Sequence, residues 1–105
     1  MRHLKDEGND LFLSAASAWE IAIKYAIGKL RLPAPPREFV PRLLTETQTY
    51  PMAVVHDHSL RTAELPNHHA DPFDRLLIAQ AQVEQIPIVT HDRNFKLYDV
   101  KVIVA

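Results

Sequence analysis

Leu11-Phe12-Leu13-Ser14 is the first apolar run of the chain, and it follows ten largely polar residues that end in the turn signal Gly8-Asn9-Asp10. A short apolar run after a turn predicts a strand. From Ala15 to about Gly28 apolar residues recur at helical spacing, and Gly28, with Lys29 and Arg31 beside it, predicts the stop. Pro33-Ala34-Pro35-Pro36 is a stiff connector within one small core. A helix is expected from about Pro36 to Thr47, starting late or kinking at Pro41. Tyr50 to Val55 predicts a strand, and Pro51 inside it predicts an edge position. Asp57 to Glu64 predicts a short helix, and Leu65 to Ala70 a loop. Ile86 to Thr90 then predicts a strand, His91 to Phe95 a turn and Val100 to Val104 a last strand. Residues 1–10 are expected to form a frayed helical end or nothing fixed.

Between that loop and the strand at Ile86 lies Asp71-Pro72-Phe73-Asp74-Arg75-Leu76-Leu77-Ile78-Ala79-Gln80-Ala81-Gln82, the opening of a helix. Asp71 suits the N-cap, Pro72 the first helical position and Asp74 the first turn. The helix is apolar on more than one side, which predicts packing on several sides. Asp74 shares a row with Ile78 and Ala81, and Glu20 shares one with Ala16, Ile23 and Ile27. Each acid therefore aims at a core edge, where a carboxylate is costly unless something positive meets it. The commonplace reading is that Asp71 and Asp74 cap a helix and Glu20 steadies a helix dipole. Trp19 is expected in the core, since a stacking platform needs exposure.

The order of elements predicts an α/β sandwich with a mostly parallel sheet. Ligands of such sheets collect beyond the carboxyl ends of the strands, where the crossover helices begin. Glu20 and Asp74 lie near helix starts and Asp92 just after a strand end, so topology alone brings three carboxylates to one rim.

Composition narrows the chemistry. The chain has 105 residues, enough for one small domain, of which 47% are apolar. Its formal charge of −1 gives no overall basic field, so any RNA must be held by local patches. There is no cysteine, hence no disulfide frame and no thiolate metal site. No apolar run approaches a membrane span, and the start Met1-Arg2-His3-Leu4-Lys5-Asp6 has no signal-peptide core, so a cytoplasmic protein without membrane contact is expected. His56, His58, His68, His69 and His91 match no zinc spacing and are expected in loops and on the surface. Clustered carboxylates repel unless protonated or holding a cation, and an all-oxygen set suits Mg²⁺ or Mn²⁺.

DPFDRLLIAQA followed by IPIVTHDRNF, with LFLSAASAWEIAIKYAIGKLRLP before them, resembles the PIN-domain ribonucleases, in particular the VapC-type toxins of type II toxin–antitoxin systems. The likeness runs from Leu11 to Ala105. It implies a PIN-like three-layer α/β/α sandwich and metal-dependent hydrolysis of RNA. By motif, it assigns Glu20, Asp74 and Asp92 as the catalytic, metal-holding acids, with Thr90 hydrogen-bonding beside them. Arg75 and Lys24 are then candidates for RNA phosphates, or plain surface cations. The family begins with an apolar central strand ending in an Asp-Thr-His-like segment that supplies the first metal ligand. Nothing before Leu11 corresponds. A single domain over 1–105 is therefore expected, N-terminally truncated, with residues 1–10 a polar lead-in and the first, central strand missing.

Three functions follow as expectations. The first is a Mg²⁺-dependent endoribonuclease toxin, with RNA as substrate, a cognate antitoxin as partner and a homodimer as its form, impaired by the missing ligand. The second is a toxin remnant that cleaves nothing but still binds antitoxin or dimerises. The third is an unrelated α/β protein whose acids only cap helices.

Overall fold

The computed structural model describes residues 3–6, 8, 10–68, 71–90, 95 and 97–104. Polar lead-in residues His3-Leu4-Lys5 form a strand, β1 (His3–Lys5). It is followed by β2 (Leu11–Ser14), α1 (Ala15–Ala26), α2 (Pro36–Glu46), β3 (Thr49–Met52), α3 (His56–Arg61), a 3₁₀ turn (Thr62–Glu64), α4 (Pro72–Glu84), β4 (Ile88–Thr90) and β5 (Val102–Val104). The sheet order is β3-β2-β1-β4-β5. β2 pairs with β3 in parallel and β4 with β5 in parallel, while β1 runs antiparallel to both β2 and β4. Four strands thus point one way and the central one points back.

This corrects the expectation that residues 1–10 supply no strand and leave two neighbours without a shared partner. Leu4 stands opposite Phe12 on one side and Ile88 on the other, and it is completely buried. The Lys5 amide donates to the Pro87 carbonyl at 3.1 Å. The return to β2 is closed by the Asp6 amide on the Asp10 carbonyl (3.0 Å) and the Asp10 amide on Asp6 Oδ1 (2.9 Å). Three residues offer one inward position, so a single leucine suffices and the doubly paired backbone supplies the rest. Such a strand leaves no apolar run to read.

Positions opposite one another share a sheet face. Leu4, Phe12, Ile88 and Val102 lie together and pack with Leu77, Ile78 and Ala81 of α4 and with Leu65, Phe95 and Tyr98. Toward the other edge, α1 and α2 meet Leu13 and β3 around an apolar cleft of about 350 Å³. The layered α/β arrangement agrees with the expected sandwich, and the sheet is mixed: four of its five strands share one direction, while two of its four pairings are antiparallel. Pro51 stands in β3 at the sheet edge, as its missing N–H requires. Gly28, two residues past the end of α1, has φ of 76°, a left-handed conformation that glycine adopts without steric cost. Pro41 lies inside α2, which nevertheless begins at Pro36. No helix among the described residues is long and apolar enough to cross a membrane.

If Leu4 is the inward anchor of the central strand, Leu4→Ala should lower stability by about 2–5 kcal/mol, as a large-to-small core change does. Urea denaturation measures it. An unchanged midpoint would show that residues 3–5 do not belong to the sheet.

Candidate active site

Two helices begin at the carboxyl rim of the sheet. β2 ends at Ser14, whose hydroxyl accepts from the Ala16 amide (3.0 Å) and caps α1 at once. The carboxyl end of α4 lies only a few residues before β4, ending at Gln85 in a left-handed conformation (φ 56°). The amino end of α4 is therefore carried back to the rim where β4 finishes. Asp71 caps it, one carboxylate oxygen accepting from the amides of Phe73 (2.8 Å) and Asp74 (3.1 Å).

Glu20 and Asp74 line one cleft of about 330 Å³ between α1 and α4, together with Ser17, Ile21, Lys24, Leu30, Phe73 and Leu77. The two acids the sequence singled out on helices are thus brought together. Asp74 is buried, at 5% exposure, in the first turn of α4. Glu20 lies in the second turn of α1 rather than the first, so its place is not explained by the helix dipole. Its carboxylate is 3.4 Å from Lys24 Nζ, one turn on along the same helix. Asp92, the third expected acid, lies outside the described residues, as do His91, Arg93 and Asn94 of the expected turn around it, whereas Phe95 at its end is buried in the core. Thr90 is buried at the end of β4.

The reversed direction of β1 decides what the central strand brings to this rim. Its amino end, with His3, lies beside the ends of β2 and β4, whereas Asp6 and Asp10 lie at the opposite rim. Neither of those acids joins Glu20 and Asp74. Among the described residues no three acids or histidines come together as a metal-binding group.

The donor set can nevertheless be tested for a cation. Lys24 already meets Glu20 in the cleft, and a divalent ion beside both acids would add to that compensation. Two carboxylates are enough for Mg²⁺, which keeps much of its water and takes one or two protein acids plus substrate phosphate. The residues present fit such an ion.

Other side chains depart from expectation. Arg75 donates to the carbonyls of Thr62 (3.0 Å), Leu65 (3.4 Å) and Pro66 (3.0 Å). It clamps the segment leading to Asp71 and is neither a plain surface cation nor a hand held out to RNA. His58 is buried, not a surface histidine: its Nδ1 accepts from the Val55 amide (3.1 Å) and its Nε2 lies 3.4 Å from Glu84. The His68 amide donates to the Tyr98 hydroxyl (3.1 Å), pinning the same loop from the other side. Trp19, expected in the core, is 61% exposed and meets the Phe73 ring edge-on. Nothing in the periodicity of α1 marks Trp19 as exposed, and of that helix only Ala16 is buried.

A family model described as PIN domain matches residues 2–101. Ribonuclease VapC16 of Mycobacterium tuberculosis (strain ATCC 25618 / H37Rv) is 46% identical over 56 residues, which is 53% of this chain. The matched part spans 40% of that relative's length. No solved structure gives a significant match.

Charge-assisted hydrogen bonds to three carbonyls make Arg75 a structural clamp, and each such bond is worth about 1.5–3 kcal/mol before the cost of ordering the side chain. Arg75→Ala should lower stability by about 1–3 kcal/mol and expose residues 62–68 to limited proteolysis. Unchanged stability and cleavage pattern would return Arg75 to the candidates for RNA contact.

Proposed function

Because this chain belongs to the PIN-domain family, we propose that it carries a VapC-type ribonuclease site in which Glu20 and Asp74, joined by Asp92, hold Mg²⁺ or Mn²⁺ for the hydrolysis of RNA. The observation that carries this reading is the shared cleft of Glu20 and Asp74, acids from helices 54 positions apart in the chain that nothing in simple helix capping requires to meet. The name of the relative, a ribonuclease, supports the same chemistry. A bound divalent ion would steady the charge on a phosphodiester and make a bound water more acidic. The protein's part is to place the acids, with Asp74 held by the cap at Asp71 and Thr90 at the neighbouring strand end. Its partners on this reading are RNA and a cognate antitoxin, in a cytoplasmic homodimer.

Two features favour weak activity for the 105-residue chain. The acids of the turn after the central strand, Asp6 and Asp10, lie at the far rim. Lys24 already sits on Glu20 and competes with any cation there. Reduced or absent cleavage, with weak metal affinity, follows.

A second reading is supported by a different surface. No residue of α2 is buried, and the cleft lined by Leu13, Val40, Leu44 and Met52 is apolar and open. A toxin-like module that binds antitoxin or a second copy, and cleaves nothing, would use such a surface. Co-purification with a small antitoxin, without metal-dependent cleavage, would favour this reading over the first.

Calorimetric titration with Mn²⁺ tests the metal site. Binding should be weak, and Asp74→Asn should reduce it by at least the roughly 10- to 100-fold that loss of an outer-shell partner costs. Lys24→Met should tighten it by about 1.5- to 5-fold, the worth of a half-exposed ion pair. Absence of any Mn²⁺ binding would remove the nuclease reading. Vigorous Mg²⁺-dependent RNA cleavage, abolished by Asp74→Asn, would contradict the reduced activity.

A further inference from the structure

Trp19 and Phe73 form a ring pair with centroids 5.2 Å apart and planes at 70°. Each ring directly precedes one of the two acids: Trp19 precedes Glu20 on α1, and Phe73 precedes Asp74 on α4. The contact that brings the helices together therefore sets an aromatic pair beside a carboxylate pair. Phe73 itself lines the acidic cleft and is half-buried, whereas Trp19 outside it is 61% exposed. A tryptophan left so far in water gives up much of the favourable burial that usually hides it. Its edge-on contact with Phe73 holds the indole in one orientation instead of letting it fold back.

We propose that Trp19, backed by Phe73, is a stacking shelf for an unpaired nucleobase of the RNA strand whose phosphodiester lies over Glu20 and Asp74. The proposal rests on the nuclease reading and assigns it a base-binding subsite. Single-stranded nucleic acid is held by aromatic faces beside cations. Lys24, on the rim of the same cleft and half exposed, is the cation here. The formal charge of −1 provides no long-range attraction, so short-range stacking must carry more of the binding than in a basic protein. The competing use of an exposed aromatic is a protein interface. Ile27, 59% exposed, is the C-cap of α1, about two turns beyond Trp19; a protein interface running along α1 would reach it, whereas a shelf for one base at Trp19 does not need it.

Trp19 is the one tryptophan in the chain, so its fluorescence reports on this position alone. The full chain is titrated with an unstructured RNA oligonucleotide in EDTA, which prevents metal-dependent cleavage, and binding is followed also by anisotropy of the labelled RNA. Saturable quenching is expected. Trp19→Ala should weaken binding roughly 5- to 100-fold, the worth of one stacked base. Trp19→Phe should recover most of the loss, and Ile27→Ser should bind as the parent does, with circular dichroism verifying the fold of each variant. If Trp19→Ala and Trp19→Phe both bind RNA as the parent does, the shelf is overturned, while the Mn²⁺ site at Asp74 stands or falls on its own titration. If quenching follows protein concentration in the absence of RNA and is lost in Ile27→Ser, the surface is a protein interface and the shelf is again overturned. If RNA does not bind at all, the shelf and its RNA substrate are both overturned.

Discussion

Hydrogen-bond pairing at the middle of the sheet is the constraint on which the other parts depend. β2 and β4 each carry a parallel partner on the outside, and their inner edges face a gap one strand wide. Unpaired backbone groups in such a gap cost about 1–3 kcal/mol each. β1 fills it with three residues, pairing on both sides and burying Leu4. By setting the spacing of β2 and β4 it also sets where α1 and α4 begin. The meeting of Glu20 and Asp74 is thus a consequence, several steps removed, of the strand that fills the gap between β2 and β4.

The direction of β1 has chemical weight of its own. A parallel central strand would end at the rim where α1 and α4 start and could place an acid there. An antiparallel one ends at the far rim, and the acids of the turn after it, Asp6 and Asp10, serve to close that turn. Among the described residues the acids of the cleft are Glu20, paired with Lys24, and Asp74, buried in the first turn of α4. Around them successive residues of one segment have separate tasks: Asp71 caps the helix, Phe73 supports the ring of Trp19, Asp74 faces the cleft and Arg75 ties down the loop before them.

Elements with a strong local cause were legible in the sequence. Asp71 and Pro72 mark the start of α4, Gly28 follows the end of α1, and Pro51 places β3 at the edge. The convergence of Glu20 and Asp74 was legible as well, because topology alone sends helix starts to one rim. What the pattern missed depends on distant parts of the chain. β1 has too little apolar character to stand out, and only its two neighbours make it a strand. His58 is buried where Gln80 and Glu84 of α4 meet it, and Trp19 is exposed although Phe73 of α4 meets its ring. Arg75 looks like a surface cation until the carbonyls of residues 62–66 are folded against it. Asp92 lies outside the described residues, and its place at the rim remains part of the proposal.

Amide hydrogen exchange at Lys5 tests the central claim most directly. Its N–H is bonded to Pro87 in the middle of the sheet, as the Ile88 N–H is bonded to Lys101 (2.9 Å). If β1 closes the sheet, the Lys5 amide is protected to within about a factor of ten of Ile88, since both open only with the core. Exchange of Lys5 at the rate of an unstructured peptide, with Ile88 still protected, would mean that the middle of the sheet is held by something other than β1.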